Sequence, residues 1–178
     1  MKKAVVILIA VFVIAWSVRI LSINQSPPAT TYYDIGEKVK CGNLELEFIE
    51  SHVDDPAEFE ERFGVKYENT EGDYKMISIC IDVKNISDKD ISIDDIYDKI
   101  GYGYESAVWM NGISPEACNL VNVYDRYFLS PGDSMKIWFL SEINKISFKK
   151  SIWEKVNEYQ YIYIFTYIPQ RSAVRIKA

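Results

Sequence analysis

The sequence predicts an all-β domain. It is expected to be an antiparallel two-layer β-sandwich of about seven strands with one or two short helices, behind an N-terminal hydrophobic helix. Three observations predict this. Apolar and polar residues alternate with period two in several runs, as strands with one buried face require. Turn signals separate those runs at short intervals. No strand pattern alternates with a long helical one, which disfavours a parallel α/β sheet.

The 178 residues suit one domain plus an appendage, and 48% hydrophobic residues are enough for a real core. The opening "MKKAVVILIAVFVIAWSVRILSINQSPPA" puts Lys2 and Lys3 before an unbroken apolar run, Ala4 to Trp16. That is the layout of a secretory signal. With Arg19 snorkelling, the run extends to Ile23, about 20 residues, enough to cross a bilayer. Residues 1–23 are therefore a signal peptide or an uncleaved membrane anchor. The positive-inside rule puts the N-terminus in the cytoplasm and the domain outside, or secreted if cleavage occurs. Residues 24–34, with two prolines, read as a tether, 35–169 as the sandwich and 170–178 as a C-terminal tail.

Strands follow in order. "LELEF" (44–48) sets Leu44, Leu46 and Phe48 on one face. "KMISICIDVKN" (75–85) aligns Ile77, Ile79, Ile81 and Val83. Further strands are expected at 89–94, 119–129, 134–140, 145–150 and 159–168. Ser130-Pro131-Gly132-Asp133 carries a type II turn signature. One helix is marked by Asp55 as N-cap, Pro56 at the first position, Glu58 three after the cap and Gly64 as terminator. Residues 151–158 suggest a second helical turn capped by Ser151. Many short strands at this spacing point to Ig-like topology.

Three phrases carry a resemblance: "YYDIGEKVKCGNLELEFIES", "YKMISICIDVKNISDKDISI" and "LSPGDSMKIWFL". They are similar to the telokin-like, immunoglobulin-like domain of exported and membrane-anchored proteins of Gram-positive bacteria. Val83, Asn85 and Ser87 match that family's "V-x-N-x-S" strand end, and Pro131, Gly132 and Asp133 match its "PGD/E" turn. The resemblance spans about residues 33–168 and implies an exported, non-catalytic domain. It departs in lacking a lipid-attachment cysteine and in the aromatic stretch 90–118.

Composition excludes several functions. Without Lys2, Lys3 and Arg19, 17 basic residues face 26 acidic ones, a balance of −9. A nucleic-acid partner is not expected, because the basic footprint is missing. His52 is the single histidine, which removes His-pair metal sites and leaves little for acid–base catalysis. No cofactor motif is present, and no enzyme is expected. Asp94, Asp95 and Asp98 cluster after a strand and offer a weak calcium alternative beside a helix-capping role. Cys41, Cys80 and Cys118 fit no zinc spacing. A Cys41–Cys118 disulfide and three unpaired thiols both remain open.

Aromatics remain. In residues 159–167, Tyr159, Tyr161, Tyr163, Phe165 and Tyr167 share one strand face. With Tyr102, Tyr104 and Trp109 they form either a binding strip or a second core covered by Phe59 and Phe63. The expected function is a membrane-tethered extracytoplasmic binding domain of the cell envelope. Its partner is expected to be a protein or envelope polymer. The alternative is a structural or assembly subunit of a membrane complex, docking through residues 4–23.

Overall fold

The protein is described here by a computed structural model covering residues 12–20, 29–69, 72–168 and 170–176. Residues 12–20 are helical (α1), and Phe12, Val13, Ile14, Trp16, Val18 and Ile20 are exposed along them. The rest of the expected anchor, 1–11 and 21–23, lies outside the described residues. No helix among the described residues is long and apolar enough to cross a membrane.

Residues 31–176 form a separate β-rich unit. Its elements run β1 (Thr31–Tyr33), β2 (Lys38–Cys41), β3 (Leu44–Asp54), α2 (Pro56–Phe63), β4 (Tyr74–Asn85), β5 (Ile91–Ser92) and α3 (Ile93–Ile100). Then come β6 (Gly103–Glu105), β7 (Met110–Gly112), α4 (Pro115–Val121), β8 (Phe128–Leu129) and β9 (Ser134–Asn144). The short helix α5 (Lys150–Trp153), β10 (Tyr161–Thr166) and β11 (Ser172–Ile176) close the unit. One sheet has the order β1-β11-β10-β6-β7, a second β2-β3-β4-β9, and β5 with β8 makes a small third.

The two larger sheets share a core. Leu44, Leu46 and Phe48 from β3, and Ile77, Ile79, Ile81 and Val83 from β4, are fully buried there. They meet Tyr104, Tyr161, Tyr163, Phe165 and Val174 from the other sheet. The second sheet is also covered on its outer side. Phe59 of α2 and Ala117 and Cys118 of α4 pack there on Met76 and Leu140. A central strand buried on both faces reads as a near-continuous apolar run, which explains "MISICIDV".

Helix α2 forms as its sequence dictates. Glu58 Oε2 accepts from the Asp55 N–H at 2.8 Å, and Gly64 ends the helix in the left-handed region, at φ 68°. Its docking is fixed by Arg62, which donates to both carboxylate oxygens of buried Asp54 at 2.9 and 3.0 Å.

The resemblance motifs converge on one corner. Asn85 is fully buried, and its Nδ2 donates to Lys89 O and Leu129 O, both at 2.7 Å. Its Oδ1 accepts from Ser87 N and Oγ. The Asn85 main chain is bonded to Gly132 and Asp133, so strand end and turn lock together. Gly132 adopts φ 84°, as the expected type II turn requires.

Several expectations are corrected. Residues 119–129 are not one strand. Ser114 caps α4, accepting from Ala117 N at 3.3 Å, and Pro115 opens the helix, so only Phe128–Leu129 pair. Residues 145–150 form a 3-10 turn and the start of α5 rather than a strand. Thr31–Tyr33, expected in the tether, pair in parallel with β11. Ser172–Ile176, expected in a tail, lie between β1 and β10 in the five-stranded sheet.

Strand β9 ends the second sheet, yet its edge is not open. Ser114 N donates to Leu140 O at 2.7 Å, and Leu140 N donates to Cys118 Sγ at 3.3 Å. Asn111 Nδ2 reaches Glu142 O, and Arg126 reaches Ser134 O. Helix α4 and its flanking loops thus occupy groups that would otherwise template another strand.

Candidate functional site

The expected aromatic strip does not exist as a surface. Tyr104, Tyr161 and Tyr163 are at most 1% exposed and face the shared core. Each hydroxyl finds a main-chain acceptor: Tyr161 to Val156 O at 2.8 Å, Tyr163 to Ile100 O at 2.7 Å and Tyr104 to Phe139 O at 2.6 Å. A buried phenol needs such a partner, and the C-terminal carbonyl of α3 supplies one. Burial pushes the Tyr161 phenol up to about 12, and those of Tyr104 and Tyr163 well above the usual range.

The aromatic face is therefore the inner face of β10, and the core behind it is the main one. Phe59 and Phe63 do not cover it; they lie on the outer side of the other sheet, with Phe63 against Trp138 at 4.8 Å. Tyr159 and Trp109 are half-buried against the core, Trp109 at 6.0 Å from Tyr161. Of these aromatics only Tyr102 and Tyr167 are exposed, edge to face at 5.1 Å.

The Cys41–Cys118 bridge is absent, and all three cysteines are free thiols. Cys118 sits in the outer cluster under α4, whereas Cys41 packs against the inner core from β2. Burial raises Cys80 to about 12 and Cys118 to about 11. Thiols held in the neutral form are poor nucleophiles at neutral pH. His52 pairs with Glu50 at 3.1 Å on β3.

The three aspartates are not gathered for a cation. Ser92, not Asp94, caps α3, and Asp95 accepts from Ser92 Oγ at 2.6 Å. Asp95 lines a polar cleft with Asn43, Ser87 and Lys89, while Asp94 and Asp98, one turn apart, line a different cavity. Among the described residues no group of three or more His, Cys, Asp or Glu side chains is placed to hold a metal ion.

That other cavity is a concave site between α3, α4 and the segment after α4. It has a volume of about 620 Å³, within the range of small-ligand pockets. Helix α3 supplies Ile93, Asp94, Tyr97 and Asp98, and α4 supplies Cys118 and Asn119. The segment after α4 adds Tyr124, Arg126 and Tyr127. A polar network fixes its wall. The Tyr97 and Tyr124 hydroxyls lie 2.8 Å apart, and Asn122 Nδ2 donates to Tyr97 Oη at 3.1 Å. Burial raises the Tyr97 phenol and lifts that of Tyr124 to about 12. The Tyr97 ring rests on Phe139 at 5.1 Å, so wall and core form one aromatic stack. At the rim, Tyr127 is 77% exposed.

Tyr97, Asn122, Tyr124, Arg126 and Tyr127 were not singled out by the sequence. The Ser114-Pro115 helix start was the available signal, since it places "NVYDRY" in a loop facing α3 rather than in a strand.

No protein-family model and no curated protein sequence matches the chain. Solved structures do. An uncharacterised β-sandwich protein from Clostridium difficile is similar, with TM-score 0.54 and 15% identity over 85% of this chain and 97% of that one. A conserved hypothetical protein from Bacillus anthracis is similar with TM-score 0.53 and 12% identity over 82% and 95%. The likeness is one of fold. This chain is β-rich, with several sheets and few short helices, and matches β-sandwich proteins of Gram-positive bacteria.

Proposed function

We propose that this chain is a membrane-tethered, extracytoplasmic, non-catalytic binding domain of the bacterial cell envelope, with its ligand site in the cavity between α3 and α4. The cavity carries the reading: about 620 Å³ with aromatic and aliphatic walls and a few polar groups at the rim. The apolar opening of the chain supports the tether and the address. The neutral thiols and the remote His52–Glu50 pair support a binding role over a catalytic one. The telokin-like, immunoglobulin-like kinship belongs to this reading. Its support is the place of the motifs, on β2–β3, the end of β4 and the turn before β9.

A photoreactive phenylalanine analogue at Tyr127, in living cells, tests the site. A discrete envelope adduct is expected, and Asn119→Trp, which fills the cavity mouth, should abolish it. Protease added to intact cells should digest residues 31–176. Adducts insensitive to Asn119→Trp would refute the cavity, and full protection from protease would refute the address.

A structural or assembly role through residues 4–23 is the second reading. The exposed helical run at 12–20, with Phe12 and Trp16 rings 5.8 Å apart, favours it. An unrelated anchor in place of residues 4–23 abolishes function under that reading and spares it under the first.

A further inference from the structure

We propose that the cavity between α3 and α4 selects ligands that present an alkylammonium group on an apolar stem. This rests on the reading of that cavity as the ligand site and adds the chemistry of what enters it.

The charge balance of the lining carries the argument. Three ionic side chains reach the cavity: Asp94, Asp98 and Arg126. The guanidinium is already occupied. It donates to Asp133 Oδ2 at 2.7 Å and to Ser134 O at 3.1 Å, so its charge is matched by an aspartate outside the lining. Asp94 and Asp98 have no such match. Neither carboxylate forms an ion pair or accepts a hydrogen bond among the described residues. Asp95, between them in sequence, is held by Ser92 on another side of the helix. The mouth therefore carries two uncompensated negative charges, one helical turn apart.

The interior matches the rest of such a ligand. Ile93, Ile113 and the Tyr97 and Tyr124 rings give apolar contact for a stem of a few methylenes. Tyrosine faces attract a cation. The Tyr97 and Tyr124 hydroxyls are engaged with each other and with Asn122, so they do not demand a polar ligand deep in the cavity. An anionic ligand meets like charge. A bare divalent cation finds two carboxylates and no third His, Cys, Asp or Glu side chain placed with them among the described residues. An ammonium on a hydrocarbon stem satisfies both rim and wall.

The experiment uses the full chain in non-ionic detergent. Amide NMR signals of residues 93–101 and 113–127 are followed during titration with n-butylammonium, n-butanol, butyrate and N-acetyl-lysine methylamide. Butylammonium should half-saturate at a concentration about tenfold below that for butanol, the ratio one partly desolvated ion pair gives. Butyrate should give no shift. Asp94→Asn with Asp98→Asn should make butylammonium and butanol equivalent. Asn119→Lys, which keeps both aspartates and adds a competing ammonium, should weaken butylammonium alone. Lysine amide binding more tightly than butylammonium would place the group on a peptide, and weaker binding would assign a free amine. Equal binding of butanol and butylammonium to the unmodified chain overturns the charge selection and leaves the cavity as a ligand site. No shift with any probe overturns both.

Discussion

The side-chain amide of Asn122 makes both main-chain hydrogen bonds of Trp138. Trp138 N–H donates to Asn122 Oδ1 at 2.8 Å, and Asn122 Nδ2 donates to Trp138 O at 2.7 Å. One amide thus does for a residue of β9 what a neighbouring strand would do. Asn122→Ala leaves both groups without their partner and should destabilise the domain by about 2–4 kcal/mol. Asn122→Asp keeps the acceptor and loses the donor, and should fall between. Urea unfolding measures both, with an unchanged slope expected if only stability moves.

Tyrosine modification should follow burial rather than sequence neighbourhood. Tyr127, 77% exposed, and Tyr167, 44% exposed, should react in the folded protein. Tyr161 and Tyr163, at 0%, should react only as the domain unfolds. Mass spectrometry after mild nitration locates the sites. Tyr163→Phe deletes the bond to Ile100 O and should lower stability by about 1–2 kcal/mol.

Gly103 cannot carry a side chain. Its φ is 150°, and a Cβ there would collide with Asn111 O and lie 2.8 Å from the Gly112 Cα. Among the described residues β7 pairs only with β6, so the damage should be local at first. Gly103→Ala should lose about 2 kcal/mol and lower the melting midpoint by roughly 4–8 °C. Hydrogen exchange should quicken at residues 110–112 before the rest of the sheet.

Alkali should unfold the protein progressively. Folded Cys80 and Cys118 are raised to about 12 and about 11, from an ordinary thiol value of 9.0. Tyr104 and Tyr163 are held well above the phenol value of 10.0. Above about pH 9 the unfolded chain therefore binds fewer protons than the folded one, and stability falls as pH rises. The contribution is complete below pH 9, declines first through the thiols, and steepens above about pH 10 as the phenols join. Urea midpoints between about pH 8 and 11 should trace this, and Cys80→Ala should flatten the early part.

Legibility in the sequence followed how local each cause was. The strands of the second sheet were readable because each keeps its own alternation, as in Leu44, Leu46 and Phe48. Helix α2 was readable because Asp55, Pro56, Glu58 and Gly64 are all local signals. Helix α4 was missed because "NLVNV" alternates; the Ser114 cap and Pro115 decide it from upstream. β11 was missed because "SAVRI" is short and makes sense only as the partner of β1 and β10. The aromatic face of β10 was open between binding strip and second core because tyrosine is less apolar than the isoleucine on the opposite face. The carbonyls of Ile100, far away in sequence, and of Val156, five residues upstream of Tyr161, let the phenols go inside. Asp94 and Asp98 stood out, but for calcium; only the fold separates them from Asp95 and sets them beside Tyr97 and Tyr124.

The parallel pairing of β1 with β11 has a consequence for how the chain is made. The strand that fills the gap between β1 and β10 is the last of the described strands to emerge from any machine that delivers the polypeptide N-terminus first. Until residue 176 is free, Tyr33 and Val174 have no shared sheet, and the apolar face of β10 has only one flank. Such a domain cannot mature from the front, and its long-range closure makes folding slow. The sheet β2-β3-β4-β9 can pair before that point, whereas the five-stranded sheet closes only when β11 arrives.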